Sequence, residues 1–235
     1  MTKETVAIPL ARLTAERAVL RRIASWPWIE AETVRGARIR VHAGAAPRRL
    51  LVRSTQLLVR RQGLYEYRLL AVIDASDTAI LTDNRVVENL FPHVAGIIYN
   101  DPQPLVKREQ WINGTRVDYL VSTNQGLILV EHKTHVPASP SPETLYPPAP
   151  NPRLRRQLEV LGRAAEALAA RAEIVIAVTE PRVDRVRIST VGDPVLLRLL
   201  RVLAGRVSAR AYRVRVVING DKLDIVYGGE VGVQL

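Results

Sequence analysis

The sequence predicts an α/β fold, a mixed central β-sheet flanked by helices, preceded by a basic helix-and-strand extension. Three observations carry that expectation. The 235 residues include no cysteine, so disulfides, thiolate zinc sites and iron–sulfur clusters are excluded and the fold rests on apolar burial. From residue 84 onward the apolar pattern reads helix, three strands, helix and strand, in that order. At roughly 100–200 residues per domain, the length fits one large domain, or one domain with a sizeable extension. A soft boundary near residues 76–83 separates an extension at 1–80 from a core domain at 81–235.

Taken in order, residues 12–24 have helical spacing and end in a turn at Trp26-Pro27-Trp28. Residues 33–42 alternate, with Ala37, Ile39 and Val41 on one face and Arg38, Arg40 and His42 on the other, as in a strand with a basic outer face. Leu and Val recur at helical spacing over 48–62, and a strand follows at 65–73. Val87, Leu90, Phe91, Val94 and Ile98 form a helical stripe, but Pro92 lacks an N–H and clashes with the preceding turn. A short helix ending near Phe91 and a second turn starting at Pro92 are therefore expected. Strands follow at 105–112, 115–122 and 127–134. Seven prolines in 136–152 mark a surface loop of limited flexibility. A helix at 153–171 leads to a buried strand at 174–178. Asp193 and Pro194 suit the N-cap and first residue of a helix ending near Gly205. A hairpin about Asn219-Gly220-Asp221 closes the chain.

Net charge is +11, carried by 30 Arg and only 4 Lys. It is uneven: +7 over residues 1–80, −2 over 81–150 and +6 over 151–235. Basic flanks around a slightly acidic centre are expected where the flanks hold a polyanion and the centre holds a cation. No apolar run reaches the ~20 residues of a membrane span, and the N-terminus lacks the features of a signal peptide. An intracellular, cytoplasmic protein with no membrane partner is expected.

One stretch carries chemistry: Thr115–Leu120 holds Asp118, and Gly126–Lys133 ends in Glu131-His132-Lys133. Glu131 and Lys133 are two apart, hence on one strand face. A hairpin closed about Asn124 and Gln125 sets Asp118 opposite Glu131, with Cβ atoms about 4.5–5.5 Å apart. The other face then carries Val117, Tyr119, Val121, Ile128 and Val130 as a core face. Two close carboxylates repel, and a divalent cation such as Mg2+ or Mn2+ resolves the conflict. Lys133 beside them can stabilise developing charge. No Walker loop, GxGxxG, GxSxG or HExxH is present.

On TRVDYLV, LILVEHKTH and RRQLEVLG, the chain resembles the PD-(D/E)xK, or restriction-endonuclease-like, nuclease superfamily over about residues 83–180. The nearest likeness is to its RecB-type branch, which includes the nucleases of CRISPR adaptation. The resemblance implies a restriction-endonuclease-like core. It implies Asp118, Glu131 and the His132 carbonyl as metal ligands, with Glu88 or His93 as a further ligand from the first helix. It implies Lys133 and Gln157 as catalytic partners, although Leu161 stands where the family has Tyr. That branch's iron–sulfur cluster is excluded by the missing cysteines. Glu109 reads as an exposed strand residue and His135 as a loop histidine.

The function expected is a Mg2+- or Mn2+-dependent deoxyribonuclease, either exonuclease or structure-specific endonuclease. The alternative is a nucleic-acid-binding protein on a nuclease-like scaffold with little or no cleavage. Single-stranded, duplex or branched DNA is the expected partner, with a homodimer left open. Arg38, Arg40, Arg153, Arg155 and Arg156 are the expected phosphate contacts.

Overall fold

A computed structural model describes residues 8–63, 66–112, 114–137 and 139–235. The first sheet is built from β2 (Glu16–Ser25), β3 (Trp28–Thr33), β4 (Arg38–His42), β5 (Gln56–Arg61), β6 (Glu66–Ile73) and β7 (Ala79–Leu81), after β1 (Ile8–Thr14). β2 lies antiparallel to β3 and β5, β3 to β4, and β5 to β6. A parallel pairing of β4 with β6 closes these five strands into a barrel. Leu20, Ile29, Val41, Leu57 and Leu69 fill it.

The helices expected over 12–24 and 48–62 are corrected by this barrel. Those residues form β1, β2 and β5, with one short 3-10 turn at Arg48–Leu50. Alternation decides the outcome. Ala18 and Leu20 point inward two residues apart, and closing a barrel core outweighs the modest helix preference of Arg and Leu.

The second sheet holds β8 (Leu105–Ile112), β9 (Thr115–Thr123), β10 (Gly126–His135), β11 (Glu143–Leu145), β12 (Arg171–Val178), β13 (Arg185–Arg187), β14 (Val207–Asn219) and β15 (Lys222–Gln234). Their order is β11-β13-β15-β14-β12-β10-β9-β8, and β1 returns to pair with β15. The sheet is parallel across β10, β12 and β14 and antiparallel across β8, β9 and β10. Helix α1 (Asn84–Ile98) covers one face, where Leu90 and Phe91 meet Tyr119, Val130 and Val175. Helices α2 (Pro152–Ala167) and α3 (Pro194–Val202) bring Leu158 and Leu196 onto Ile174 and Ile176 of the other.

The expected α/β, restriction-endonuclease-like architecture is therefore corrected. Fifteen strands outweigh three α-helices of 15, 16 and 9 residues among the described residues. The molecule is mostly β, a five-stranded barrel together with a large mixed sheet. No helix is long and apolar enough to cross a membrane among the described residues.

Two local departures bear on the site. Helix α1 runs unbroken through Pro92. Pro92 cannot bond the Glu88 carbonyl four residues back, and the Tyr119 hydroxyl donates to that carbonyl instead. The proline-rich loop is also tied down: β11 pairs with β13, and Tyr146 and Pro147 are buried.

Candidate active site

The hairpin β9–β10 pairs Leu120 with Leu129 and Tyr119 with Val130, and its ladder stops one rung short of Asp118 and Glu131. At that point the Asp118 carboxylate accepts the backbone N–H of His132 at 2.9 Å. A side-chain oxygen thus takes over from a ladder carbonyl, and β9 changes face. Tyr119 and Val121 stay in the core under α1, whereas Val117 joins the core under α2. The single core face expected for the hairpin is corrected for Val117.

Glu131 is 2% exposed. Burial pushes its carboxyl above the ordinary range, Lys133 opposes that shift, and the charge of Asp118 adds to it. The Lys133 ammonium pairs directly with Glu131. Glu88 reaches toward the same place from α1; partial desolvation and then the Asp118 charge push its carboxyl up too. Glu88, Asp118, Lys133 and Gln157 line one open cleft of about 750 Å³, together with Arg108, Arg116 and Arg153. On its wall, Asn84 Oδ1 and Thr134 Oγ1 are buried without a hydrogen-bond partner.

His132 divides into two roles. Its backbone N–H holds Asp118, while its ring turns into the α1 core with Nε2 3.0 Å from the Tyr212 hydroxyl. Burial brings the imidazole pKa down to about 3, so the ring is neutral. His93 lies in a neighbouring groove with Arg60 and Arg85. His135 is buried, 2.8 Å from Thr144 Oγ1.

The expected phosphate contacts separate. Arg153 lines the cleft and Arg156 is exposed on α2. Arg155 instead pairs with the buried Asp193 at 2.7 Å, where Asp193 also caps α3 through the Leu196 N–H. Arg38 and Arg40 lie on the outer side of β4, with the Arg40 guanidinium 4.3 Å from the Trp28 ring. Sequence reasoning missed Arg108 and Arg116, which cross-strand pairing in β8–β9 would have revealed. Glu109 carried no such signal. It lines the cleft at a left-handed φ of +49° and pairs with Arg116 at 2.6 Å.

As a donor set, two carboxylates with Glu88 nearby offer hard oxygen ligands. Among the described residues, no group of three His, Asp or Glu side chains is gathered closely enough to enclose a metal ion by itself. Phosphate or water oxygens would have to complete a coordination shell, as is usual for Mg2+.

Residues 81–220 match the family model described as the sugar fermentation stimulation protein RE domain. This finding corrects the expected assignment to the PD-(D/E)xK superfamily and its RecB-type branch. A sugar fermentation stimulation protein homolog of Pyrococcus furiosus is 28% identical over 174 residues, which cover 74% of this chain and 71% of the relative. A solved structure described as Pyrococcus furiosus SfsA in complex with Ca2+ shares the fold. Its TM-score is 0.80 at 23% identity, covering 97% of this chain and 100% of the other.

Proposed function

The chain belongs to the sugar fermentation stimulation protein family, and from that premise we propose that it is a divalent-cation-dependent phosphodiesterase acting on DNA. One observation carries the reading: an acid pair, Asp118 and Glu131, lies beside Lys133 at a cleft bordered by Arg108, Arg116 and Arg153. Burying like charges together raises the energy of the ionised state unless a cation is shared between them. The Ca2+ described for the Pyrococcus furiosus structure is of the hard, oxygen-seeking class that such carboxylates bind.

Asp118 and Glu131 would hold the cation, with Glu88 as a third carboxylate at the rim. When bound, the cation lowers the pKa of a coordinated water and neutralises charge on the phosphate. Lys133 stabilises the charge that develops on the phosphoryl oxygens. Gln157 orients the substrate through its amide. The cleft arginines draw in the phosphate backbone without reading its sequence.

The test is incubation with single-stranded, duplex and branched DNA, with and without Mg2+ or Mn2+. Asp118→Ala and Glu131→Ala are expected to abolish cleavage and leave DNA affinity within about threefold, since the phosphate contacts come from arginines elsewhere. Lys133→Ala should slow turnover by about 100-fold or more. Wild-type cleavage by both acid variants would refute the assignment.

A second reading, DNA binding without cleavage, is favoured by the Lys133–Glu131 ion pair, which already neutralises one carboxylate. It expects DNA affinity with no cation-dependent product under any of these conditions.

A further inference from the structure

The two large cores are filled by aliphatic residues with Phe91 and several tyrosines, while all three tryptophans of the chain lie at or near the surface. Trp26 and Trp28 each carry a guanidinium against the ring, Arg48 at 4.9 Å and Arg40 at 4.3 Å. Trp111 differs. It is 73% exposed near the end of β8, the edge strand of the large sheet, and pairs across the hairpin with Arg116.

A single exposed apolar side chain is unremarkable on its own. The position of Trp111 gives it meaning. Asp118 falls between the Arg108–Tyr119 and Gln110–Val117 pairs, two rungs from the Trp111–Arg116 pair. Arg116 and Glu109, which flank Trp111 across and along the ladder, both line the acid cleft. Glu109, two residues before Trp111, has a left-handed φ of +49°, a conformation uncommon for a residue with a side chain. Two residues along β9 and one strand across put the Trp111 backbone about 8 Å from that of Asp118, a little over two stacked base steps of about 3.4 Å each. A base stacked on Trp111 would therefore belong to a nucleotide within about two steps of a phosphate at Asp118.

A paired duplex keeps its base faces covered, whereas an unpaired base offers a π-face to an aromatic side chain. We propose that Trp111 is the stacking platform for an unpaired base of DNA bound at the acid pair, so that the cleft takes single-stranded or frayed DNA in preference to closed duplex. This rests on the DNA reading given above and narrows its substrate class.

The experiment measures binding of the full chain in EDTA, so that cleavage plays no part. The probes are labelled oligo(dT) and a relaxed, covalently closed circular duplex, which offers no unpaired bases. Trp111→Ala should weaken oligo(dT) binding by about 10-fold, the loss expected for one stacked base. Its affinity for the closed duplex should stay unchanged. Trp111→Phe should restore oligo(dT) binding to within about threefold, because a ring suffices for stacking. An equal loss on both probes, or no loss on oligo(dT), overturns the proposal. A selective loss on oligo(dT) from a wild type that cuts nothing with Mg2+ supports this proposal and refutes the phosphodiesterase reading. Cation-dependent cutting together with wild-type oligo(dT) binding by Trp111→Ala does the reverse.

Discussion

His135 shows how one side chain couples the fold to pH. It is buried beside Tyr146 and Thr144, and burial brings its pKa down to about 4 from an ordinary value of about 6.5. The native state resists protonating this ring and the unfolded chain does not. Stability is therefore complete above the unfolded pKa and is lost as pH falls toward the folded one. The loss is about 1.4 kcal/mol per pH unit, or about 3 kcal/mol across this window. Urea denaturation at pH 7 and pH 4.5 should show that drop, and His135→Gln should flatten it. An equally steep acid limb in the variant would assign the pH dependence to other groups. At this scale much was legible in the sequence: Glu131 and Lys133 sit two apart on one strand, and a tight turn fixes their register against Asp118. The side-chain bond from Asp118 to the His132 N–H was not legible, nor was the left-handed Glu109. The first depends on where the β9–β10 ladder ends and the second on one missing pair inside the β8–β9 ladder, neither of which alternation encodes.

Helix α1 poses the corresponding problem for an element. Its interior Pro92 removes one donor, and the sequence accordingly predicts a break that the structure lacks. The replacement donor, the Tyr119 hydroxyl, comes from a strand 31 residues away, beyond the reach of any local pattern. Tyr119→Phe should leave the Glu88 carbonyl without this partner and cost about 1–3 kcal/mol. In a Pro92→Ala background the restored N–H can take over, so the same substitution should cost clearly less. A double-mutant cycle by chemical denaturation measures the difference. Equal costs in the two backgrounds would mean that the Tyr119 hydroxyl does not replace the donor lost at Pro92. The barrel strands were misread for a related reason. Arg, Leu and Val at mixed spacing fit either period, and barrel closure depends on the long-range pairing of β4 with β6. By contrast, β8, β9 and β10 and the hairpin β14–β15 follow one another in sequence across short turns, so their positions were readable.

For the whole molecule, the uneven charge was plain in the sequence, but the path it follows was not. The acid cleft and the groove holding Arg60, Arg85 and His93 share Asn89 on α1. That groove in turn shares Arg60 with a third, of about 790 Å³, lined by Arg12, Arg17, Arg35 and Arg61. The three adjoin one another at these shared side chains, between the acid pair and the side of the barrel, and each is lined by arginines. A DNA strand following this route would release counterions at each phosphate it neutralises, and log affinity would fall with log salt by about 0.9 per duplex contact or 0.7 per single-strand contact. Arg60 and Arg85 occupy the middle of the route, where binding at the acid pair and binding at the barrel must be joined. Replacing both with Gln should reduce the salt slope by about 1.4–1.8. The cost should be similar for every DNA sequence, because phosphate contacts carry no sequence information. Titrations between low and moderate salt on two unrelated sequences decide the matter. An unchanged slope would mean that DNA reaches the acid pair by another side of the cleft and that these arginines are only solvated.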